Sequence, residues 1–253
     1  MFRNAFIIVG LLFVFGCKQK QNHEMAELSA EEIVNQSIEA AGGDVFKHSK
    51  IEFDFRDMHY KAVRKNGSFR LERQFKKANS EIRDVLSNSG FERFEDDEKV
   101  QVSDSLASLY SASVNSVHYF SVLPYGLNDK AVHKKSLGTV NIEGKDYYKI
   151  KVTFSEDGGG EDFDDVFIYW INKTSFNVDY LAYSFKEKDG LGYRFRKAYN
   201  ARVVNGLRFV DYNNYLPENS VLKIEDLDDL FMANKLQLLS NIELRNIKVE
   251  VLN

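Results

Sequence analysis

The chain is poor in the residues that staple, interrupt or bury a fold in a membrane. A single cysteine, Cys17, excludes an internal disulfide, so packing and hydrogen bonds alone must hold the 253 residues together. Two prolines leave room for long unbroken strands. The apolar run at residues 5–15 falls short of the about 20 residues that a bilayer-crossing helix needs. No charge of one sign dominates: 34 basic residues against 38 acidic give a net charge of -4, without the electrostatic footprint of a nucleic-acid-binding protein. The histidines, His23, His48, His59, His118 and His133, show neither HExxH nor paired spacing, which argues against zinc. A G-x-S-x-G elbow and a P-loop are also missing. What the chain does have is aromatic mass. Its 20 Phe and 13 Tyr favour strands.

The N-terminus carries an address. Arg3 precedes the apolar run, and the run stops at Gly16-Cys17, the layout of a secretory signal over residues 1–16. Val14-Phe15-Gly16-Cys17 resembles the lipobox cut by the bacterial lipoprotein signal peptidase, with Phe15 where that pattern usually has a small residue. The resemblance implies that Cys17 becomes the first residue and is acylated, which anchors the chain to a membrane. Residues 17–27 then read as the acylated cysteine and a polar, flexible tether, and residues 28–253 as one domain. Lys18 stands where an inner-membrane retention aspartate would be, pointing to the outer membrane, facing periplasm or cell surface.

Ser29-Ala30-Glu31-Glu32 fits a capping box, with Leu28 and Ile33 as its hydrophobic staple. Val34, Ile38, Ala41 and Val45 follow at helical spacing, up to Gly42-Gly43 as a left-handed stop. From Ile51 the period becomes two, and Asn66-Gly67 reads as a hairpin turn. A second helix is expected over residues 104–120, with Leu106, Leu109, Tyr110, Val114 and Val117 on one stripe. A meander of strands fills residues 139–215, then a short helix over 225–234 and a last strand over 240–251. Successive hairpins without crossover helices give an antiparallel sheet, and so many strands must curl. The expectation is a mainly β (α+β) fold: a curved antiparallel sheet forming an incomplete barrel, one face covered by an N-terminal and a central inserted helix.

The capped helix, the inserted helix and the stretch Tyr169-Trp170-Ile171-Asn172-Lys173-Thr174-Ser175-Phe176-Asn177-Val178 resemble the Lol-type lipoprotein carriers, incomplete barrels around a hydrophobic cavity. More closely, Phe53-Asp54-Phe55-Arg56, residues 114–120, residues 123–129 and Asp179-Tyr180-Leu181-Ala182-Tyr183 are similar to a family of Gram-negative bacterial lipoproteins of unknown function. That similarity implies location and fold and carries no activity.

Three groups of residues are candidates for a site. Around three glycines, Glu156, Asp157, Glu161, Asp162, Asp164 and Asp165 offer oxygen ligands suited to calcium, with Asp157, Glu161, Asp162 and Asp164 as the set, although the spacing is not that of an EF-hand. Equally, these charges can keep a hairpin tip solvated. Arg56, Arg70, Arg194 and Arg196 alternate with aromatics; the simpler expectation is that the guanidiniums face water and the aromatics form the core. If the cavity side is the polar one, they would hold a carboxylate or phosphate head group. Tyr119, Phe120, Tyr125, Tyr169, Trp170, Tyr180, Tyr183, Phe185 and Tyr193 are either pocket lining or core. The ligand-contacting set is therefore Arg56, Tyr119, Phe120, Tyr125, Trp170, Tyr183, Arg194 and Arg196. The functional expectation is a non-catalytic, lipid-anchored envelope protein that binds a lipid-like or amphipathic molecule in a hydrophobic cavity. No cofactor is expected beyond calcium, and no nucleic acid. The alternatives are an envelope hydrolase using the same cavity, to be marked by a cluster of His with Asp or Glu inside it, and a structural or partner-binding lipoprotein. His118 with Asp129 or a nearby serine can be brought together in space, but any fold of this size offers such triples.

Overall fold

In the computed structural model, residues 27–158, 163–187, 190–218 and 223–252 are described. Cys17, the signal and all of the tether except Glu27 lie outside them, as do Glu161 and Asp162.

Helix α1 (Ala30–Ala41) starts where expected. Ser29 accepts from the Glu32 amide and the Glu32 carboxylate accepts from the Ser29 amide, so two helix-end donors are satisfied reciprocally. It ends at Gly42, whose φ of 131° no ordinary side chain adopts, and where an added Cβ would meet Leu207 and the Gly206 carbonyl. Val45 is not a continuation of this helix. It belongs to a separate 3-10 turn, Gly43–His48.

Six strands follow as hairpins: β1 (Ser49–Phe55), β2 (Met58–Lys65), β3 (Ser68–Lys77), β4 (Ser80–Ser87), β5 (Gly90–Glu95) and β6 (Glu98–Val100). Asn66 and Gly67 both have positive φ, the geometry of the expected hairpin turn between β2 and β3. Helix α2 (Asp104–Ser121) leads to β7 (Val132–Ile142), β8 (Lys145–Phe154), β9 (Val166–Asn172), β10 (Val178–Glu187), β11 (Gly190–Val204) and β12 (Leu207–Pro217). A short helix α3 (Leu227–Met232) precedes β13 (Leu236–Ile242) and β14 (Arg245–Val251). The last expected strand is thus two, parted at Leu244, which explains its imperfect alternation.

The strands form two seven-stranded antiparallel sheets, ordered β14-β1-β2-β3-β4-β5-β6 and β13-β12-β11-β10-β9-β8-β7. They do not close into a barrel. Where the chain passes from β13 of the second sheet to β14 of the first, Asp211 accepts from the Leu244 amide and from Arg202, and Arg202 also donates to the Leu244 carbonyl. The buried carboxylate is therefore fully engaged at the seam.

Both sheets turn one face towards α1 and α2. Alternation puts Ile51, Phe53 and Phe55 of β1, Tyr60 and Ala62 of β2, Tyr169 and Ile171 of β9 and Leu181 of β10 into this inner core with Val34, Val114, Val117 and Phe120 of the helices. Burial of each such side chain contributes about 1.5–3 kcal/mol. The expected stripe on α2 is only partly right: Val114 and Val117 are buried, whereas Leu106 and Leu109 lie exposed on its first turns. The outer face of the second sheet has its own cover. Trp170, Tyr180, Phe195 and Ile168 pack there under Ile224, Leu227 and Phe231 of the α3 region. Strand β9 is apolar on both sides because both sides are covered.

Candidate functional site

Helix α2 sits between the sheets and is bolted to the first. Arg73 and Arg93 converge on Asp84, which is wholly buried; Arg73 Nη1 donates to Ser113 at 2.6 Å and the Arg93 guanidinium stacks 3.6 Å over the Tyr110 ring. Further along, His118 Nε2 lies 3.0 Å from the Glu72 carbonyl. A carbonyl only accepts, so Nε2 carries the proton and Nδ1 keeps a lone pair. Towards the second sheet α2 makes fewer contacts. Tyr119 and Tyr169 join hydroxyls at 2.8 Å, and Tyr119 meets the Phe167 ring edge-on. Burial drives both phenols above their ordinary titration range.

Two clefts flank this helix. One, of 570 Å³, opens between α2 and the inner face of β9–β11 and is lined by Tyr119, Phe120, Leu123, Phe154, Phe163, Phe167, Leu181, Tyr183 and Phe185. Its polar members are Asn115, Ser116, Asp164, Asp165, Lys186 and Arg196. Phe167 stacks on Tyr183 with ring centroids 5.4 Å apart, giving a continuous aromatic wall. Arg196 lies between Phe120 and Tyr183, 5.0 Å from each ring, and donates to the Tyr183 hydroxyl at 3.0 Å. Its Nε is buried and meets no acceptor among the described residues. The second cleft, of 540 Å³, lies on the other side of Asn115 and Tyr119, lined by Lys47, His48, Arg64, Phe69, Leu71, His118, Tyr125 and Asp129 among others.

The predicted ligand set is thus divided. Tyr119, Phe120, Tyr183 and Arg196 meet in the first cleft, and Tyr125 lines the second. Arg194 shares the Arg196 face, stacked 4.9 Å over the Phe185 ring beside the first cleft. Trp170 must be withdrawn. It is fully buried on the outer face, with its indole N–H donating to Asp228 at 3.1 Å. Tyr180 and Tyr193 pack in the same outer cluster. Arg56 lines neither cleft; it sits on the exposed β1–β2 turn with a φ of 54°, where it lines a groove with Asp54 and His59. The simpler expectation for the arginines holds for Arg56 and for Arg70, whose side chain stays accessible to solvent beside Glu72. On β11 it is overturned: that sheet is covered on both faces, so Phe195 faces outwards into core and Arg196 faces inwards into the cleft.

Of the acidic loop, Asp164 pairs with Lys186 and lines the first cleft. Among the described residues no group of three or more His, Cys, Asp or Glu could hold a metal ion. Glu161 and Asp162, half of the calcium set, lie outside the described residues. His118 and Asp129 do share the second cleft, whereas no histidine lines the first. Burial, however, depresses the His118 pKa to about 3, with the nearby Arg64 charge acting in the same direction, and Nδ1 has no hydrogen-bond partner to orient it. A neutral imidazole of that basicity is a poor proton carrier near neutral pH. His48 and His133 are exposed, and His59 bonds Asp54 elsewhere.

Residues that the sequence did not single out complete both clefts: Leu123, Phe154, Phe163, Phe167 and Lys186 in one, Lys47 and Arg64 in the other. For Arg64 a signal existed. It follows Tyr60 and Ala62 at the inward parity of β2.

A family model matches residues 6–244. The chain belongs to a family of unknown function (DUF6503). This agrees with the family resemblance read from residues 53–56, 114–120, 123–129 and 179–183. No curated protein matches the chain. Among solved structures it is similar to a LolA superfamily protein from Nitrosomonas europaea, at 12% identity and a TM-score of 0.47 over 90% of this chain and 94% of that one. It is also similar to a DUF1329 family protein from Desulfovibrio piger, at 11% identity and a TM-score of 0.43 over 89% and 95%. The lipoprotein LppX from Mycobacterium tuberculosis follows at 13% identity and a TM-score of 0.25 over 60% and 87%.

Proposed function

We propose that the protein is a lipid-anchored envelope protein, acylated at Cys17, that binds a lipid-like or amphipathic molecule without transforming it. The observation that carries this reading is the 570 Å³ cleft beside α2, whose apolar and aromatic wall surrounds one stacked guanidinium with an unused Nε–H. Its volume falls in the range of about 300–1,000 Å³ typical of small-molecule sites. An apolar chain gains from burial against Phe120, Phe154, Phe167 and Leu181, while its polar end takes the Arg196 and Tyr183 donors. Asp164 and Lys186 offset one another in the same cleft, so the aromatic wall provides affinity and Arg196 orientation. An acyl anchor on Cys17 would hold the carrier near its source membrane, the outer membrane on the reading of Lys18.

Native mass spectrometry of the full-length protein, purified mildly and then offered oleate or phospholipid, tests the reading. Discrete adducts of one ligand mass are expected, fewer in Phe120→Asp. A clean mass under every loading condition contradicts it.

A further inference from the structure

The second cleft contains something the first reading does not use. Arg64 ends the inward row of β2, its side chain nine-tenths buried, and its Nη1 is closed off from solvent with no acceptor. It makes no ion pair within 4.0 Å among the described residues, and its stacking partner is the Tyr125 ring, 5.4 Å from Cζ. Leaving a buried guanidinium donor unpaired is costly, and Arg73 and Arg93 are not left so: both reach Asp84. Close by, His118 Nδ1 is a buried acceptor without a donor. Lys47 and His48 bring further donors to the same cleft, Lys47 from an exposed pair with Asp44.

We propose that this cleft is a second binding site, for the phosphate group of a phosphomonoester, held by Arg64 and Lys47 with a protonated oxygen given to His118 Nδ1. A guanidinium offers paired N–H groups that match two oxygens of one anion, and a monoprotonated phosphate supplies both the acceptors Arg64 lacks and the donor His118 lacks. Asp129 is the one acidic side chain lining the cleft, and its field falls on Arg64. Burial raises its pKa, against the opposing pull of Arg64 and Lys134, so an anion arriving at Arg64 meets a carboxyl that takes up a proton more readily than usual. The site goes beyond the lipid reading and shares with its cleft only Asn115 and Tyr119.

The test is calorimetric titration of the full-length protein with inorganic phosphate and, separately, with dihexanoyl phosphatidic acid. Binding of both shows that the anion suffices; binding of the second alone, weakened by Arg64→Met, shows a lipid head group as its source; either supports the site. Arg64→Met should weaken binding about tenfold to a hundredfold. It should not lower the urea midpoint, because an apolar side chain replaces an unpaired buried charge. Lys47→Gln, at an exposed position, should weaken binding severalfold with folding intact, and Arg196→Met should leave the binding of inorganic phosphate unchanged. The proposal is overturned if neither probe binds at millimolar concentration, or if Arg64→Met, or Lys47→Gln should the former not fold, binds as tightly as the parent chain. Failure of oleate uptake with phosphate binding retained would overturn the lipid reading alone.

Discussion

The two faces of the second sheet bury cations in opposite ways. On the outer face Lys149 has a complete set of partners: its ammonium donates to both Asp228 oxygens at 2.8 and 2.9 Å and to the Glu225 carbonyl at 2.5 Å, and Trp170 donates to the same carboxylate. On the inner face Arg196 has one hydroxyl, two aromatic rings and an unmatched Nε. Both side chains come from strands of one sheet, β8 and β11, three places apart. The outer face is a finished core, closed by α3. The inner one has satisfied its apolar side chains and left donors over, which is the condition of a site awaiting an anionic or polar group.

Four perturbations break or sharpen that contrast. The largest effect belongs to the finished side. Asp228→Ala leaves Lys149 and the Trp170 N–H buried without an acceptor and should cost about 3–5 kcal/mol in urea unfolding. A loss under about 1 kcal/mol would mean that water reaches Lys149 and the outer core is not closed.

Next comes acid sensitivity on the inner side. His118 has a folded-state pKa of about 3 against an ordinary value of 6.5, so between these the unfolded chain binds the extra proton. The stabilisation is complete above about pH 6.5 and is lost as pH falls towards 3, by about 1.4 kcal/mol per pH unit in that window. Unfolding midpoints across this range should show the slope, and His118→Gln should flatten it. An unchanged slope in the variant would assign the acid sensitivity to other groups.

Gly42→Ala ranks third. It forces a positive φ on a side chain and drives its Cβ against Leu207, loosening α1 from β12, for about 1–2 kcal/mol in thermal or urea unfolding. The smallest stability effect is expected from Arg196→Met, within about 1 kcal/mol, because no ion pair is broken. Its effect on ligand should be large all the same: uptake of a fatty-acid anion about tenfold weaker by titration. A strongly destabilised Arg196→Met would make this arginine a structural element like Lys149 and erase the contrast.

How legible this was in the sequence depended on the length over which each signal acts. The Ser29–Glu32 cap, the Asn66–Gly67 turn and the hairpin order are local, and each formed as read. The apolar run on both sides of β9 announced two covers, but not that one of them would be α3. Site residues depended on which face looked inwards. Alternation places Arg196 opposite Phe195 and Trp170 opposite Tyr169, yet does not say which member of each pair meets α2. Hence Tyr183 and Arg196 do line the inner cleft, Trp170 packs on the opposite side, and Arg64 lines the second cleft at the same parity as Tyr60. Leu106 and Leu109 misled because helical spacing marks a shared stripe and not a buried one.

The central claim is that the inner face is incomplete and takes a ligand beside α2, whereas the outer face is complete. Hydrogen–deuterium exchange of the full-length protein with and without oleate tests it directly. Slowed exchange confined to residues 115–123 and 181–186, with the α3 segment unaltered, is the result expected. Unchanged exchange at saturating oleate, or protection appearing around α3 instead, would contradict it.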